Sequence, residues 1–269
     1  MPGSEFVSAV AAVDWSALHS TYESGEVVRD ILLRLGSLDQ AEVEWAWEKI
    51  GETVLQHQGT VYPATAAAAP FLCQLALDAA TPCRAALIAD LAFLSLGDDE
   101  PFAPAGTARA VRDAIRSSTG QLLGLWGTAD EGLDMALVAV SVAFPEQAAV
   151  VTPHVREWFG RSEPPLRRAL GLALAVHGAT DDAVGQVLSE EVDRDARAAA
   201  NIRSRSAPGG PWISKLDQGP SVYSPVIGTI QLATRLRAGE DAECNAFSCV
   251  FSLLLNLMDY GGNLINQSR

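Results

Sequence analysis

The densest run of side chains suited to acid–base work is His57-Gln-Gly-Thr-Val-Tyr-Pro-Ala-Thr65. His57 and Tyr62 are the candidate catalytic pair, since an imidazole titrating near neutrality beside a phenol can pass a proton. Such a pair needs a third group to orient it, and the segment supplies none. His57 also stands at the edge of an apolar helical stripe, where its ring can close the carbonyls left open at a helix end. The structural role is therefore the plainer one.

A second constellation is built for recognition. At 100° per residue, Trp45 falls about 160° from Val43, on the side that carries Glu48, Glu52 and Gln56. With Glu44, these residues ring an indole with carboxylates, which suits a cationic partner. The competing reading is that another part of the chain covers the ring. A third set, Arg194, Arg197, Asn201 and Arg205, is spaced 3, 4 and 4 along an expected helix and forms a ridge able to grip phosphate or carboxylate. Asp193 and Asp195 dilute it, and a solvated face is the plainer account. Trp212 and Tyr223 lie in the Ser-, Gly- and Pro-rich stretch 204–224 and join the binding candidates.

Other chemistry is not encoded in recognisable form. His19, His57, His154 and His177 are far apart, so no metal site and no cofactor is expected. The acids at Asp98-Asp99-Glu100 and Asp181-Asp182 sit beside turns and read as helix caps and solvated ends. Cys73, Cys83, Cys244 and Cys249 form no Cys-x-x-Cys pair and suit buried free thiols in a reducing compartment.

The elements that must position these groups are helices. Asp39 is a good N-cap for a helix to about residue 57, with Val43, Ala46, Trp47, Ile50 and Val54 on its apolar side. Pro63 opens a helix to Leu77 that Pro70 should kink. Thr81-Pro82 reads as a cap for a helix ending near Gly97. Further helices are expected at about 107–126, 130–143, 147–159, 164–177, 181–203, 225–238 and 243–259, with a short one after Asp14 and no convincing run of strands. Residues 1–6 read as a cloning remnant and 7–269 as one repeat domain.

An internal repeat orders these helices. Pro70, Pro82, Arg84, Leu91 and Ala92 recur 83 positions later as Pro153, Pro165, Arg167, Leu174 and Ala175. An offset of that size reads as two helix-pair units of about 41 residues. The Pro70, Asp78 and Arg84 spacing resembles that of HEAT-repeat proteins. Pro153 and Arg167 match it again, with Arg161 in place of the Asp. The resemblance implies an all-α, right-handed α-solenoid of about six helix pairs with an N-terminal cap helix. It also implies that the Asp and Arg bridge adjacent turns of the stack, and that second helices line a concave face.

Charge narrows the function classes. The chain carries a net −14, and residues 1–100 hold four basic against fifteen acidic groups, a net of −11. Such a surface repels phosphate backbones and membrane surfaces and favours basic partners, and solubility alone accounts for the charge equally well. No apolar stretch reaches bilayer-spanning length, so a cytoplasmic protein is expected. The leading expectation is a non-catalytic interaction module, of immunity or scaffold type, that binds a basic protein or peptide through an acidic concave surface. The alternative is a HEAT-fold enzyme acting on a small molecule in a biosynthetic pathway. A relative of the DNA glycosylases of that fold is disfavoured, because the charge disfavours nucleic acid.

Overall fold

The computed structural model describes residues 3–187, apart from 22, 52–54, 58–59, 83, 100–103, 129 and 180. The expected features at Glu52, Cys83, Glu100, Arg194, Arg197, Arg205, Trp212, Tyr223, Cys244 and Cys249, and the expected helices beyond 187, lie outside the described residues. The described chain is mostly helical, as an all-α reading requires, and it divides into two compact units that meet in sequence at Phe144 and Pro145.

The first unit opens with α1 (Ser4–Ala11) and a 3-10 turn at Trp15–Ala17. Ser4 to Phe6 belong to α1, and Phe6 meets Phe71 edge-on at 5.9 Å. Trp15 is buried and donates its indole N–H to the Val10 carbonyl at 2.7 Å. α2 (Gly25–Leu35) starts hard against this turn. A Cβ on Gly25 would stand 2.5 Å from the Trp15 carbonyl oxygen, so only glycine fits there. Val28, Ile31, Leu32 and Leu35 form the buried stripe of α2 at helical spacing. α3 (Gln40–Gly51) follows, and the Asp39 carboxylate accepts the Ala41 N–H at 2.9 Å, the expected cap.

A small sheet separates α3 from the next helices. β1 (Gln56–His57) pairs antiparallel with β2 (Thr60–Val61), which pairs parallel with β3 (Asp98–Asp99). These two-residue strands depart from the all-helical reading. They are too short to show a period in sequence.

α4 (Pro63–Leu77), α5 (Arg84–Leu94), α6 (Thr107–Leu123) and α7 (Glu131–Ala143) complete the unit. α4 packs on α2, α5 and α6, and α7 packs on α5 and α6. Helices α2, α4 and α6 thus lie side by side, and so do α5 and α7. Ala64, Ala68, Ala69 and Ala76 keep α4 slim where it packs. α4 runs as one helix through Pro70. Asp99, in β3, caps α6 from a distance: its carboxylate accepts the Gly106 N–H at 2.8 Å and the Ala108 N–H at 2.5 Å. Gly106 sits at φ 93°, where glycine turns the chain into the helix without strain.

Two arginines secure helix ends. Arg84 donates to the Ala76 carbonyl at 2.6 Å and the Leu77 carbonyl at 3.0 Å, at the end of α4. Arg112 of α6 donates to Ser95 O at 3.0 Å and Ala143 O at 2.8 Å, and stacks on Phe144 at 4.5 Å. Asp78 and Arg84 both bond to backbone rather than to each other, since Asp78 accepts the Ala80 N–H at 2.9 Å.

The second unit begins with a 3-10 stretch, Pro145–Val150, then α8 (Thr152–Arg161) and α9 (Pro164–Val176), which pack on each other. The single helix expected at 147–159 is therefore two elements. Val150, Val151 and Thr152 are β-branched, a weak helix run immediately before Pro153. Gly171 of α9 gives room to Phe159 and Val187, whose atoms lie 2.9 to 3.2 Å from where a Cβ would stand.

Candidate functional site

Trp45 is the functional candidate whose surroundings are most fully determined. It lies on the first half of α3, half-buried, while Glu44 and Glu48 beside it are exposed. The opposite face of α3 carries Val43 and Ala46 into the core. That division follows from the helical period, which sets Val43 and Ala46 on the buried side of α3 and leaves Trp45 at its edge.

The ring is already in contact with a cation. Arg34, on the last turn of α2, reaches past the 36–39 turn and lays its guanidinium 4.2 Å from the Trp45 ring centroid. The same guanidinium pairs with Glu42 at 2.9 Å. Arg34 is thus held between an indole and a carboxylate, the two groups that best bind a planar cation. Glu44 accepts a hydrogen bond from Gln40 at 2.9 Å, one helical turn earlier. The carboxylates around Trp45 therefore divide: Glu42 is engaged by Arg34, Glu44 by Gln40, and Glu48 faces solvent. Arg34 and Glu42 are not part of the sequence expectation. The signal that could have found them is charge pairing across a short helix–helix turn.

Two residues of the 57–65 segment, Tyr62 and Thr65, are tied into the local backbone. The Thr65 hydroxyl is fully buried, donates to the Leu55 carbonyl at 2.5 Å and receives the Tyr62 N–H at 3.2 Å. These bonds fold the strand–helix junction onto itself. The Tyr62 ring is buried and meets His19 edge-on, with centroids 6.1 Å apart. Ala64 N–H bonds to the His19 carbonyl at 3.1 Å, which fixes residue 19 beside the start of α4. The side chains of Gln56 and His57 are outside the described residues. The histidine that Tyr62 is seen to touch is His19, forty-three positions away.

Four further groups stand out by chemistry. Burial pushes the Asp90 carboxyl on α5 up to about 7. Its sequence signal is a lone acid within Ala85-Ala-Leu-Ile-Ala-Asp-Leu-Ala-Phe93. Burial pushes the Cys73 thiol up to about 11, partly opposed by a hydrogen bond with Ser118, so it stays protonated near neutrality and is a poor nucleophile. In the second unit, Arg156 pairs with Asp181 at 2.6 Å and holds its carboxyl below the ordinary carboxylate range. Asp181 also receives the Val184 N–H at 3.3 Å, so it caps the helical turn at 182–187 as an acid beside a turn should. In the same unit the Thr152 hydroxyl donates to Ala148 O at 2.8 Å and lies 3.2 Å from His177 Nδ1.

Among the described residues, no group of three or more His, Cys, Asp or Glu could hold a metal ion, and no helix is long and apolar enough to cross a membrane. Set against known protein families, characterised proteins and solved structures, the chain matches none.

Proposed function

We propose that this protein is a non-catalytic interaction module that docks a basic protein or peptide on the acidic surface around Trp45. One observation carries the reading. The Trp45 ring and the Glu42 carboxylate already hold a guanidinium, that of Arg34, so this surface has the chemistry a partner's arginine would use. Exposed Glu44 and Glu48 extend it, and the net −11 of residues 1–100 draws a cationic partner in.

The proposal extends to architecture. Side-by-side packing of α2, α4 and α6, with α5 on α7, supports a HEAT-like stack, as does the 83-residue recurrence. In this reading the stack is a right-handed solenoid of about six helix pairs, and α3 contributes to its concave face. A cytoplasmic immunity or scaffold role fits an acidic chain whose Cys73 is a buried free thiol.

The test is affinity capture from the native lysate with identification by mass spectrometry, using the wild type and a Trp45→Ala, Glu48→Lys double variant of matching circular dichroism. Basic proteins retained by the wild type and lost by the double variant are the expected result. Identical capture by both removes this surface as the docking site.

A further inference from the structure

We draw no further inference here: the strongest candidate, the partly buried Asp90 carboxyl on α5, rests on its raised pKa alone, with no cation or hydrogen-bond donor meeting it among the described residues.

Discussion

The hairpins α4/α5 and α8/α9 carry the same prolines and arginines 83 positions apart, yet they use them differently. Pro70 lies inside α4, whereas Pro153 lies in the first turn of α8. Arg84 bonds the carbonyls of Ala76 and Leu77, whereas Arg167 lays its guanidinium 4.9 Å from the Phe159 ring. Ala76 and Phe159 are themselves counterparts at that offset. The arginine thus returns to the same place in each hairpin and meets whatever the local residue offers there. A small alanine leaves the helix-end carbonyl within reach, and a phenylalanine substitutes its own ring. These two hairpins thus share where the arginine reaches more closely than what it bonds.

The core shows the same division, and it provides the sharpest way to break the comparison. Ile88 of α5 is fully buried, and its counterpart in α9 is Gly171. Ile88→Ala should lower stability by about 4 kcal/mol, because transfer energy and an unfilled cavity add. Gly171→Ile should also destabilise, by about 2 kcal/mol, although isoleucine is the better helix former. Its side chain would drive into Val187 and Phe159. Urea unfolding of both variants checks the pair. A neutral Gly171→Ile would mean that α9 has the slack of an unfilled α5.

The next largest effect concerns Asp90, whose counterpart is the fully buried Ala173. Burial raises the Asp90 carboxyl from the usual 3.8 to about 7. Between those values the folded protein keeps a proton that the unfolded chain has released. Stability should therefore fall as pH rises from about 4 to 7 and level off above, the reverse of a salt-bridged aspartate. Asp90→Ala, which makes α5 resemble α9 at this position, should gain about 3 kcal/mol at pH 8 and little at pH 4. Denaturation midpoints measured across pH 4 to 8 read this directly. A gain that does not change with pH would assign the effect to helix propensity rather than to the charge.

Arginine truncation comes third. Arg84→Ala leaves two helix-end carbonyls without their charged donor and should cost about 2 kcal/mol. Arg167→Ala gives up a ring contact from an exposed position and should cost about 0.5 kcal/mol. Equal losses in thermal unfolding would show that the partner does not matter and that only the position does.

How far the sequence reveals these features depends on range. The N-cap at Asp39 and the bounds of α4 are legible because each is a local rule: a carboxylate before a helix, a proline in a first turn, a turn acid after the last carbonyl. Arg84 is legible as a recurring position, but its partner is not, since Asp78 and the α4 carbonyls lie equally close in sequence. Trp45 is legible as an indole among acids. Its covering Arg34 is not, because it belongs to the preceding helix and arrives only through the geometry of the 36–39 turn. The paired strands are hidden for a different reason: β2 and β3 join segments thirty-eight residues apart through two residues each, too few for alternation to register.

The smallest expected effect tests why the same proline falls inside one helix and near the start of another. Ahead of Pro70 stand four alanines, Ala66 to Ala69. Ahead of Pro153 stand Val150, Val151 and Thr152. A proline leaves one helical carbonyl without its donor, and the surrounding residues must carry the helix across that gap. Alanine does so with no side-chain entropy loss, whereas β-branched residues crowd the preceding turn. Replacing both Val150 and Val151 with alanine should merge the 3-10 stretch at Pro145–Val150 with α8. The net change in stability should stay below about 1 kcal/mol, because Val151 is buried and its lost packing offsets the propensity gain. Backbone carbon chemical shifts at 147–152 would move to helical values if propensity governs the break. Shifts that stay put would place its cause in Pro145 and the packing around Val155 instead.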